Sequence, residues 1–137
     1  MANPKKRKGD NAEREVAKLL QPIVSKYYPD YEIERNLEQT RKGGCDLIIP
    51  CFDVEVKRQE TPSIKAWWRQ AVDQCREEQS PMLIYRGSRQ PWRALVAMHT
   101  ISYKYICSYD IQHAVTLEWP GLTDFMDCYY KNELKKF

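Results

Sequence analysis

Long hydrophobic runs are missing from this sequence. No apolar stretch approaches the ~20 residues that a bilayer-spanning helix needs. The start is basic with no hydrophobic segment behind it, so it does not read as a secretory leader. The expectation is an intracellular chain with no membrane partner. Histidine is scarce, with two residues, His99 and His113, and neither lies near a cysteine pair. The five cysteines are an odd number at irregular spacings without a C-x-x-C. That pattern excludes a zinc ribbon, and a disulfide framework does not suit an intracellular chain, so the thiols read as core residues. Internal repeats and low-complexity segments are lacking too.

What remains suits one domain. A chain of 137 residues buries roughly two-thirds of its unfolded surface. Its apolar content of 42% with 12% aromatics excludes a disordered protein. The net charge of +3 is mild but unevenly spread. Lys5, Lys6, Arg7 and Lys8 form a basic run within residues 1–9, which read as a flexible arm ahead of a domain spanning 10–137. Such runs commonly contact nucleic-acid phosphates, although a solvated tail or an import signal has the same composition.

The informative stretch is Gly43 to Gln59, GGCDLIIPCFDVEVKRQ. Phe52, Val54 and Val56 alternate with Asp53, Glu55 and Lys57, a period of two that predicts a half-buried strand. A turn centred on Pro50 and Cys51 sets Asp46 opposite Glu55, with Cβ atoms roughly 5 Å apart. The same register gathers Leu47, Ile49, Phe52 and Val54 on the apolar face, so a one-residue slip would break both arrangements. Two opposed carboxylates repel each other, and their pairing makes sense around a cation. Mg²⁺ takes oxygen ligands: one or two carboxylates, water and substrate phosphate oxygens. The backbone carbonyl of Val56 adds a candidate oxygen. Lys57, a compact positive charge on the same face, can orient a water or neutralise charge growing on a phosphate. This constellation suits metal-assisted phosphodiester hydrolysis; an exposed strand that merely keeps Glu and Lys in water is the competing reading of E-x-K alone.

Elsewhere, Asp10 or Asn11 can cap a helix to about Tyr27, with Ala12, Val16, Leu19, Leu20 and Ile23 on its apolar face and Glu13 one step around. Tyr31 to Asn36 is a candidate strand. Leu37 to Gly44, with Arg41 and Lys42, reads as a basic loop able to close over a phosphate backbone. A second helix runs from about Ser63 to Glu78 and buries Ile64, Trp67 or Trp68, Ala71 and Cys75, with Gln70 and Gln74 one turn apart on its edge. Gln70 can reach the metal site. Pro81 to Gly87 reads as a buried central strand, Trp92 to Met98 and Ala114 to Trp119 as further strands, and Gly121 to Lys136 as a closing helix with Leu122, Phe125, Met126, Tyr129 and Leu134 inward. Arg86, Arg89 and Arg93 gather around the turn between two strands, where they can touch DNA. The order is that of an α/β domain with a mixed sheet.

These motifs resemble the PD-(D/E)xK nuclease superfamily, and within it the archaeal-type and phage Holliday-junction resolvases. RKGDNAEREVAKLL resembles their first helix, Gly44-Cys45-Asp46-Leu47 their G-x-D-L segment, and Glu55-Val56-Lys57 their E-x-K. The resemblance spans roughly Lys8 to Gln74. It implies a restriction-endonuclease-like core, a central mixed β-sheet flanked by helices. It implies Asp46 and Glu55 as ligands of Mg²⁺ (or Mn²⁺), Lys57 as support for the attacking water, and Glu13 as a further catalytic acid beside the metal. Arg35 matches the arginine that ends the family's first strand, and Gln70 a recurrent glutamine. By the same resemblance the protein is a homodimer whose two sites cut opposing strands of a four-way junction, in the cytoplasm of a bacterial, archaeal or phage-infected cell, with no small-molecule cofactor. Lys5, Lys6, Arg7, Lys8, Arg35, Arg41 and Lys42 are the candidate DNA contacts. The alternatives are a repair, replication-linked or restriction-type nuclease, or a DNA-binding module of the same fold that does not cut.

Overall fold

The computed structural model describes residues 4–37 and 44–136, with side chains from residue 9 onward. Helix α1 is Pro4–Ser25, followed by β1 Leu47–Ile49, β2 Phe52–Arg58, α2 Ile64–Gln74, β3 Ser80–Arg86, β4 Arg93–Ala97, β5 Ala114–Glu118 and α3 Trp119–Leu134. The five strands form one sheet in the order β1-β2-β3-β4-β5. Only β2 and β3 run parallel; the other neighbours are antiparallel. A parallel pair needs a crossover, and α2 supplies it. The crossover lays α2 over one face of the sheet, while α1 and α3 cover the other.

Each face has its own core. On the first, Val16 and Leu20 of α1 and Leu122, Met126 and Tyr130 of α3 pack on Leu47, Ile49, Phe52, Val54 and Ile84. Phe52 meets the rings of Phe125, Tyr129 and Tyr130 at centroid distances of 5.9, 4.9 and 6.5 Å. On the second, Trp67, Trp68 and Ala71 pack on Leu83, Tyr85, Leu95 and Ala97. Burying each of these large side chains contributes about 1.5–3 kcal/mol. The second layer overturns the expectation of a half-buried β2. With α2 above it, the strand is buried on both faces from Phe52 to Val56.

Other expectations are corrected in detail. Residues 4–9 are the opening turns of α1 rather than an arm. Pro22 lies within that helix, three residues from its end, and Leu19 is exposed rather than inward. The candidate strand Tyr31 to Asn36 is reduced to one bridge, Arg35 to Leu47. Helix α2 stops at Gln74, because Arg76 is drawn away to Asp53. In α3, Tyr130 is fully buried while Leu134 is exposed. Of the five thiols only Cys45 is buried, and Cys107 and Cys128 are exposed. No helix among the described residues is long and apolar enough to cross a membrane.

The β1–β2 turn is fixed from several directions. The Tyr130 hydroxyl donates to the Pro50 carbonyl at 2.9 Å and the Tyr31 hydroxyl to the Ile48 carbonyl at 2.7 Å. Cys51 takes a φ of 74°, a left-handed conformation uncommon outside glycine, and its carbonyl accepts the Ser80 amide at 2.9 Å. The hairpin is therefore clamped at its closed end, and its open end delivers the site.

Candidate active site

Hairpin register decides which acids meet. Leu47 faces Val54, Ile48 faces Asp53 and Ile49 faces Phe52, so the next step outward sets Asp46 against Glu55, as the sequence predicts. The Asp46 amide donates to the Val54 carbonyl at 3.0 Å, and its Oδ2 accepts the Val56 amide at 2.8 Å. Both carboxylates are buried, Glu55 to 2% exposure. Burial pushes the Glu55 carboxyl well above its usual range, and the adjacent Asp46 charge pushes it further. Lys57 lies on the same face with Nζ 3.8 Å from Glu55 Oε1. The alternation of strand side chains thus puts Asp46, Glu55 and Lys57 into one cleft.

Helix α1 supplies the third acid. Glu13 lines the cleft with Asp46, Glu55 and Lys57. Desolvation lifts its carboxyl above the ordinary glutamate range, the Asp46 charge adds to that, and Arg35 opposes it. Arg35 Nε donates to Glu13 Oε2 at 2.7 Å, and Nη2 to Asp10 Oδ1 at 2.6 Å. A candidate DNA contact in the sequence, Arg35 here bridges two acids of α1 and orients Glu13. Asp10, expected only as a cap, is the residue that completes this bridge.

Helix α2 closes the remaining side. Gln70 Nε2 donates to Glu55 Oε1 at 3.2 Å. Gln74, one turn on, is placed by the sequence on the same helix edge but given no role. With its carboxamide nitrogen turned toward acceptors, an assignment made from the hydrogen-bond network, it donates to Glu55 Oε2 at 2.7 Å and to the Gly44 carbonyl at 2.9 Å. The signal available was its spacing of four from Gln70, which places both amides on one edge of the helix. A Cβ on Gly44 would stand 2.8 Å from the Gln74 side chain, so the glycine permits that approach. The cleft encloses about 600 Å³ and also reaches Val56, Arg58, Gln59 and Glu60.

Lys5, Lys6, Arg7 and Lys8 lie in the first turns of α1, but their side chains fall outside the described set, as do Arg41 and Lys42. Among the described residues no group of three or more His, Cys, Asp or Glu is arranged to hold a metal ion unaided. The donor set nonetheless fits a hard divalent ion. Mg²⁺ needs only one or two carboxylates and completes its shell with water and phosphate oxygens, and Asp46 with Glu55 offers such a pair, the Glu55 carboxyl being raised by burial and by the Asp46 charge.

A mixed sheet between helices, with Asp-…-Glu-x-Lys converging at the open end of a hairpin, defines a PD-(D/E)xK nuclease core. A family model described as "Phage putative PDDEXK endonuclease" matches residues 4–118, and the chain belongs to that family. The match runs from α1 through β5 and so contains every residue of the cleft. Comparison with curated proteins and with solved structures gave no match.

Proposed function

We propose that the protein is a Mg²⁺-dependent DNA endonuclease that resolves four-way junctions as a homodimer, each protomer hydrolysing a phosphodiester on one of two opposing strands in the cytoplasm of an infected cell. The observation that carries the chemistry is the buried Asp46–Glu55 pair with Lys57 beside it. Asp46 and Glu55 would hold the ion, with the Val56 carbonyl and Glu13 at its flank. A bound Mg²⁺ supplies Lewis-acid stabilisation of the phosphate and an acidified water.

The chain's own residues do the rest. Gln70 and Gln74 each hold one oxygen of Glu55, which fixes the carboxylate plane. Arg35 fixes Glu13. Lys57, partly exposed, presents a donor to the attacking water or to a non-bridging phosphate oxygen. Water then attacks phosphorus in line with the departing 3′ oxygen. Junction preference would come from backbone shape and dimer geometry rather than base reading.

The test offers the purified protein, with Mg²⁺, a labelled four-way junction beside linear duplex, flap and single strand of matched sequence. Symmetric nicks in the junction alone support the reading. Equal cutting of linear duplex or flap moves the assignment to a repair, replication or restriction type, and binding without cutting to a non-catalytic module. EDTA should stop cutting and Mg²⁺ restore it. Lys57→Ala should abolish cutting while junction binding persists; undiminished cleavage by that variant would overturn the mechanism.

A further inference from the structure

We infer that an arginine pocket beside the cleft, built by Arg58, Arg86 and Arg89, is a binding site for a phosphate of the nucleic-acid backbone next to the one being cut. The inference rests on the nuclease reading for its ligand but on separate residues for its geometry.

The pocket arises from the parallel pairing of β2 and β3. Arg58 and Arg86 end these strands as register partners, and the Gln59 amide donates to the Arg86 carbonyl at 3.3 Å. Two cations are thus held side by side at neighbouring strand ends. Alternation along β2 turns Lys57 to one face and Arg58 to the other, so a single strand end serves both the cleft and the pocket. Arg58, Gln59 and Glu60 line both spaces, which makes them contiguous, and the second encloses about 270 Å³. Arg89 enters from the β3–β4 turn with a φ of 59°.

The opposing charge meets both arginines as an ion pair without a hydrogen bond. Glu15 stands 4.0 Å from Arg58 and 3.6 Å from Arg86, beyond hydrogen-bond reach. Its Oε1 accepts instead from Trp92 Nε1 at 3.1 Å. Arg86 stacks on the Trp92 ring, 5.5 Å from its centroid, and its buried Nε has no acceptor among the described residues. Glu15 and Trp92 therefore orient the two guanidiniums by an ion pair and a ring contact rather than by hydrogen bonds. Planar guanidinium forks match the oxygens of a phosphodiester. No catalytic group lines the pocket, so its ligand is gripped rather than cleaved.

The test measures binding to a four-way junction and to linear duplex in EDTA, across a salt series, with the full-length chain. Arg89→Gly removes the exposed guanidinium at a backbone position glycine accepts without strain, and Arg58→Gln keeps the side-chain stem. Each should weaken binding about tenfold and lower the salt slope by about 1. Arg89→Lys should keep the slope while losing part of the affinity. Lys135→Gln is the charge control; it lies where Glu133 and Lys136 approach Cys51, at the other end of β2, and should change neither quantity. Unaltered affinity and slope in both arginine variants, or an equal loss in Lys135→Gln, would overturn the inference. If wild-type protein cuts no DNA while the arginine variants still lose binding, the nuclease reading fails and the phosphate site stands. Wild-type cutting with unaltered binding in the variants rejects the phosphate site alone.

Discussion

Asp53 and Glu55 occupy the same face of β2, two positions apart, and both are almost wholly buried, yet their surroundings are opposite. Asp53 is neutralised. Arg76 Nη2 donates to its Oδ1 at 2.8 Å, Arg76 Nε and the Arg76 amide to its Oδ2 at 3.1 and 2.9 Å, and Gln79 adds a fourth donor at 3.3 Å. Glu55 receives two neutral amides and an amine at 3.8 Å, and it faces Asp46. A carboxylate ringed by donors and a guanidinium ties α2 to the sheet and is finished. One set against another carboxylate, with carboxamides merely aiming it, still needs positive charge. Burial alone therefore does not separate a structural acid from one proposed to bind a metal; the charge balance around each does.

The largest expected effects come from exchanging these roles. Asp53→Ala should destabilise the fold by about 3 kcal/mol, because it strands Arg76, and lower the melting temperature on the order of 10 °C. Glu55→Gln should leave the melting temperature level or higher, because it removes a buried repulsion, while cutting falls on the order of 10³-fold or more. Thermal melts and single-turnover cleavage of both variants give the readout. An Asp53→Ala protein as stable as wild type, or a Glu55→Gln protein that melts early, would erase the distinction.

A pH series sharpens it. Burial and Asp46 raise the folded-state pKa of Glu55, and Glu13 shifts in the same direction. The folded protein then holds these protons more tightly than the unfolded chain, so the linkage favours folding at low pH. In EDTA, stability from these groups should be complete below the ordinary glutamate range and decline as pH rises through the raised values. Mg²⁺ should offset the decline by supplying the missing positive charge, and Glu55→Gln should flatten it. Melting temperatures across pH, with and without the ion, decide the matter; a flat wild-type profile in EDTA would sink it.

The hairpin was legible because two independent signals agreed. Pro50 fixed the turn, and period-two alternation fixed the faces, so the pairing of Asp46 with Glu55 followed. The role of Asp53 was not legible. Sequence put it on the charged face with Glu55 and Lys57, and only the placement of Arg76 beyond the end of α2 shows that it is sealed in. The sequence places both Gln70 and Gln74 on one helix edge but gives a role only to Gln70, because a helix edge offers several polar side chains and only tertiary contact selects among them. The Tyr31 to Asn36 segment has strand composition but makes a single bridge. Its Tyr31 hydroxyl and Arg35 guanidinium are spent on the hairpin and α1 instead, an outcome that local propensity does not encode.

The smallest effect tests how Glu55 is held. Gly44 has space for a hydrogen only, since a methyl there meets the Gln74 side chain at 2.8 Å. That neighbour is a flexible side chain, so Gly44→Ala should cost less than about 1 kcal/mol of stability. It should nonetheless push the Gln74 amide off Glu55 Oε2 and reduce cleavage about as much as Gln74→Leu does, on the order of tenfold, the loss expected for one hydrogen bond to a charged group. The double variant should be no worse than either single one, because both act through the same contact. Asp53 provides the contrast: among the described residues no glycine stands against Arg76, so Gly44→Ala should leave the α2–sheet attachment, read by the cooperativity of the melt, unchanged. Additive losses in the double variant would show that Gly44 serves the site by some route other than Gln74.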